Sequence, residues 1–139
     1  MPDAIPQTGL KPPSVQTVKW VVVFSILATA IHFTDNTIHI ADYPAASWQP
    51  SWFEYVVAAS WFLFTAIGIA GYRFYRDGDY SKAHLFLGAY SVTGFITLGH
   101  FSTAAPGDLT TFGLTTVGID FVVGCVVLST VIWSMRARR

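Results

Sequence analysis

The chain has 139 residues, 53% hydrophobic, 16% aromatic and only 12% charged, with a mean hydropathy of +0.48 and no net formal charge. A soluble domain carries about 25% charged residues, so the composition points to one bilayer-embedded domain, and the chain is too short for a second. The single cysteine, Cys125, excludes an internal disulfide or a paired-cysteine site, and no basic-aromatic cluster for nucleic acid, phosphate-binding glycine loop, nucleophile elbow or haem-attachment motif is present.

In chain order, Pro2, Pro6, Pro12 and Pro13 mark residues 1–17 as a flexible tail, and residues 18–139 form a four-span domain. The first apolar run covers about 18–40. Ala28-Thr29-Ala30 inside it also fits a signal-peptide cleavage site. Asp3, the prolines and the apolar pattern continuing beyond Ala30 favour an uncleaved span. A loop with Pro44 and Pro50 follows. Ser51 and Glu54 then have the spacing of a capping box, which opens a second span over about 52–75. Gly68 and Gly71 mark a face that another helix can approach closely. Arg76-Asp77-Gly78-Asp79 is a turn, and Ser81 is expected to cap the third span, about 82–101. Asp108 is expected to cap the fourth span, about 111–135, or to hold the turn before it. Each span is long enough for a hydrocarbon core of ~30 Å. Short loops predict an antiparallel four-helix transmembrane bundle, an all-α membrane protein.

All eight Lys and Arg residues fall on one side, in the tails, in the loop between spans two and three, or at the span ends beside them: Lys11, Lys19, Arg73, Arg76, Lys82, Arg136, Arg138 and Arg139. The positive-inside rule therefore predicts both termini in the cytoplasm and a multi-pass protein of the cell (inner) membrane. Trp20, Tyr72, Tyr75, Tyr80 and Trp133 are expected at the inner interface. Tyr43, Trp48, Trp52 and Tyr55 are expected at the outer one.

Chemistry concentrates at the end of the first span. On a helix, His32, Asp35, Asn36 and His39 fall within an arc of about 100°. His100 closes the third span at the same outer side, and Asp120 lies roughly 12 Å inside the fourth from its outer end. A carboxylate within a span costs about 2.5–3.5 kcal/mol on insertion scales, so Asp120 calls for a hydrogen bond, a proton or a cation. No Lys or Arg lies in that half. His32, Asp35, His39, His100 and Asp120 thus form a candidate site for a divalent transition metal, Zn, Cu, Fe or Mn, since imidazole and carboxylate suit these ions. Asn36 is read as a helix-end hydrogen-bonder, Glu54 as the capping acid, His84 as a residue of the opposite interface and Cys125 as a packing residue. The expected function is that of a metal-handling accessory protein or a metal-dependent oxidoreductase. One alternative is a non-catalytic subunit of a larger membrane complex or a homo-oligomer. Another is a metal-free acid–base or lipid- and sterol-handling protein. A bis-histidine haem between His32 and His100 and a transporter are less favoured, because the depths differ and four helices offer no path.

An aspartate late in the first span, Tyr43-Pro44 in the following loop and Pro50-x-Trp52-Phe53 at the opening of the second span resemble the EXPERA group of sterol-handling membrane proteins. The resemblance covers about the first half of the chain and implies a metal-free, lipid-handling role. The charged residues that such isomerases carry in later helices are matched here by Asp120 alone.

Overall fold

A computed structural model describes residues 9–43, 49–102 and 105–139. Four long helices make up the bundle: α1 (Val15–Ile38), α2 (Phe53–Arg76), α3 (Tyr80–Ile96) and α4 (Thr111–Arg136). α3 continues as a 3-10 turn over Thr97–Ser102, and all four are long and apolar enough to cross a membrane. No strand occurs among the described residues. Each helix packs on its neighbours in sequence, and α4 closes the ring on α1. Both chain tails therefore meet at one end of the bundle, here called the tail end.

Local chemistry sets the boundaries. Ser14 accepts the Thr17 amide at 3.0 Å and starts α1 at Val15, three residues before the expected boundary. The Ser51–Glu54 capping box does not form. Pro50 and Trp52 carbonyls accept the Phe53 and Tyr55 amides, so backbone satisfies the start of α2. Asp79, rather than Ser81, caps α3. Gly78 turns at a φ of 84°, which brings Asp79 under the Lys82 amide at 3.2 Å and its ammonium at 2.7 Å. Lys82 holds the Asp79 carboxyl below its ordinary value. Thr110 caps α4, while Asp108 holds the preceding turn by accepting the Ala105 amide at 2.8 Å.

The packing is inside-out relative to a soluble bundle. Phe24, Leu27, Ile31, Phe62, Leu63, Leu85 and Val122 face outward. Within, buried polar side chains are denser in one half, although Thr130 and Ser134 are buried at the tail end. Val18, Val22, Leu87, Val127 and Val131 form the core of the tail-end half. Thr29, His32, Asn36, Thr93, Thr97, Thr116 and Asp120 fill the other half. α3 and α4 approach most closely at Gly94, where an added Cβ would lie 2.7 Å from the Cα of Gly124. Gly68 and Gly71 do mark a contact face, against Tyr90 and Leu87 of α3. Trp20, Trp52, Tyr55 and Trp133 are exposed near the helix ends, as interfacial aromatics should be. Tyr43 and Tyr75 instead turn inward. Tyr75 is 1% exposed and donates to the Pro13 carbonyl at 2.6 Å. Trp48 lies outside the described residues.

Candidate functional site: a polar-ended cavity

The polar face of α1 divides into two pairs, each one turn apart. His32 and Asn36 point to the bundle axis and are 1% and 7% exposed. Asp35 and His39 lie about 60° to one side, because three residues advance a helix by about 300°. There the His39 Nδ1–H donates to Asp35 Oδ1 at 2.8 Å. Tyr43, on the turn after α1, donates its hydroxyl to Asp35 Oδ2 at 2.5 Å. Burial and the adjacent Asp35 push the Tyr43 phenol well above its ordinary 10.0, so it keeps its proton. Its ring also packs on His100 at 4.9 Å between centroids. Gly113 makes room for it, since a Cβ there would sit 3.1 Å from the phenol oxygen.

The inward pair meets α4 and the end of α3. His32 Nδ1 lies 3.0 Å from Thr116 Oγ1, and Thr116 donates its one hydroxyl proton to the Gly113 carbonyl. Thr116 therefore accepts from His32, which puts the ring proton on Nδ1 and the lone pair on Nε2. The Asn36 amide donates to His100 Nε2 at 3.0 Å, so His100 carries its proton on Nδ1. The two imidazoles stand edge to face, 5.5 Å apart.

Asp120 stays apart from both pairs. It has 0% exposure, and neither carboxyl oxygen has a hydrogen-bond partner. The buried Tyr90 hydroxyl on α3 is likewise unpartnered. The five residues expected to converge on a metal thus occupy three places: His32 with His100, Asp35 with His39, and Asp120. Among the described residues no group of three His, Cys, Asp or Glu side chains is placed to hold a metal ion. Thr116, one turn before Asp120 on α4, takes the His32 imidazole N–H. His84 lies at the tail end, bonded to Ser134 at 2.9 Å.

A cavity of about 600 Å³ opens between α1, α2 and the 3-10 turn of α3. Phe33, Phe53, Val57, Phe64 and Ile96 form its apolar wall, and His32, Asn36, Glu54, Ser60 and His100 its polar part. Ligand pockets typically span about 300–1,000 Å³ with a few convergent polar groups on apolar walls. Beyond Tyr43, a groove of about 360 Å³ holds Asp35, His39 and Asp42, so the Tyr43 ring borders both spaces. Sequence reading missed Thr116, Tyr43 and Ser60 as site residues and gave Glu54 to a cap. The one usable signal was the four-residue spacing of Thr116 and Asp120, which puts both on one face of α4.

No protein-family model, curated protein or solved structure matches the chain.

Proposed function

We propose that this is a multi-pass protein of the cell membrane that binds a small amphipathic molecule of the lipid class, with both termini in the cytoplasm. The observation that carries the reading is the cavity: its hydrocarbon-lined wall ends on His32, Asn36 and His100. An imidazole with a presented lone pair beside such a wall can bind a head group or exchange a proton with it. The test is lipid extraction and native mass spectrometry of protein purified in a mild detergent, beside Ser60→Phe. Ser60 lines the cavity and bonds only the Val56 carbonyl of its own helix, so the larger ring fills space at little other cost. A bound amphiphile in the wild type that is lost from folded Ser60→Phe is expected. Equal lipid in both would remove the cavity from the reading.

A second reading is a divalent transition metal held by His32 with His100, supported by the 5.5 Å spacing of their rings and the His32 Nε2 lone pair. Asn36 occupies His100 Nε2, and Asp35 is engaged by Tyr43 and His39, so those bonds would have to open. Stoichiometric metal in the purified protein, lost in His32→Ala, would place this reading first.

A further inference from the structure

We infer that the cavity selects a head group that donates hydrogen bonds and carries no negative charge, an alcohol or an amine rather than a carboxylate or phosphate. This rests on the reading of the cavity as a binding site for an amphiphile. Three residues that line it offer acceptors, beside the donors of His100 and of the lining serines. The first is His32 Nε2: Thr116 gives its only proton to Gly113, so the His32 N–H is committed to Thr116 and the lone pair faces away from α4. The second is the Asn36 carbonyl oxygen, since the amide nitrogen is committed to His100 and the oxygen takes no hydrogen bond among the described residues. The third is the half-buried carboxyl of Glu54, which forms no hydrogen bond or ion pair among the described residues.

No Lys or Arg lines the cavity. All eight belong to the tails, the helix ends beside them, or the α2–α3 turn at the opposite end of the bundle. An anionic head placed here would find neutral donors only and would face the Glu54 carboxyl with no Lys or Arg to offset it, and like charge in a partly desolvated site is repelled. A donor head fits all three acceptors. An alcohol and an amine share that chemistry, and the amine adds attraction to Glu54.

The test uses the full chain in an uncharged detergent, titrated calorimetrically with an alkyl alcohol, amine, carboxylate and phosphate of matched chain length. The alcohol and the amine are expected to bind, with the anions weaker by at least about tenfold, equivalent to ~1.4 kcal/mol. Binding of the alcohol or the amine alone identifies which donor the site takes and upholds the inference. A carboxylate or phosphate that binds as tightly as the alcohol overturns the head-group inference and leaves the cavity reading standing. If none of the four binds, the cavity reading itself fails. Glu54→Lys supplies the second measurement, because it puts a cation in the wall at the exposed start of α2, where the fold does not depend on the side chain. It should weaken the amine and strengthen the carboxylate. Unchanged selectivity in folded Glu54→Lys, with Glu54→Gln as a neutral control, would also overturn the inference.

Discussion

At the scale of single residues, the polar side chains of the bundle differ in how fully they are satisfied. Tyr43 reaches Asp35, the Asn36 amide nitrogen reaches His100, and Thr116 is bonded on both sides. The Asp120 carboxyl, with both oxygens buried, has no hydrogen-bond partner among the described residues, and neither have the Thr65 and Tyr90 hydroxyls. A buried polar group left unpaired costs about 1–3 kcal/mol, so removing it should stabilise the protein. Leucine has the same number of side-chain heavy atoms and no need of a partner. Asp120→Leu should therefore raise the thermal midpoint in detergent, by an amount corresponding to roughly 1–3 kcal/mol. A large fall in the midpoint would mean that the carboxyl is engaged in a bond that holds the helices together. If the Leu variant is more stable but no longer binds the amphiphile, Asp120 belongs to the working site.

At the scale of elements, glycine position decides which helix pairs can approach. Gly94 lies where α3 meets α4, and a methyl group there would overlap the α4 backbone. Backbone cannot swing aside as a side chain can, so the helices must separate along their length. Gly88, two turns earlier on α3, has open space at the same construction. Gly94→Ala should be destabilising, by about 1–3 kcal/mol or more, as overpacking at a close contact is. Gly88→Ala should be neutral or slightly stabilising, because Ala is the better helix former by about 1 kcal/mol. Chemical denaturation in mixed micelles measures both. Equal effects at the two positions would show that the α3–α4 crossing is looser than described.

At the scale of the whole molecule, the bundle carries its cations at one end and its cavity at the other. Under the orientation proposed above, the cation-bearing end is the cytoplasmic one. Cysteine introduced at Asp108 should label with an impermeant reagent in intact cells, after Cys125 is replaced, and cysteine at Gly78 only after permeabilisation. Labelling at position 78 in intact cells would invert the orientation. The four spans were readable from the sequence because a bilayer imposes length and hydropathy directly on each helix. The contact face at Gly68 and Gly71 was readable for a similar reason, since small residues leave a visible mark. The site was legible only in part. An arc of about 100° on α1 is wide enough to straddle the bundle axis, so a single face became an inward pair and a lateral pair. What sorts them is Tyr43 and Thr116, which come from a turn and another helix, and no local spacing announces them. The cavity depends on the 3-10 ending of α3 and on the spacing of α1 from α2, both tertiary properties. Cap residues failed for a smaller reason: at α2 backbone turns took the amides, and at α3 Gly78 delivered Asp79 before Ser81 could serve.

The contact between Gly94 and Gly124 also bears on how the protein enters the bilayer. An isolated α4 would expose Asp120 to acyl chains, at about 2.5–3.5 kcal/mol on insertion scales. In the bundle that carboxyl is fully buried, and the backbone carbonyl of the same residue lies against Gly94 of α3. In a bilayer, release of α3 and α4 together, as a hairpin already closed at the two glycines, would spare that cost, and release of α4 alone would not.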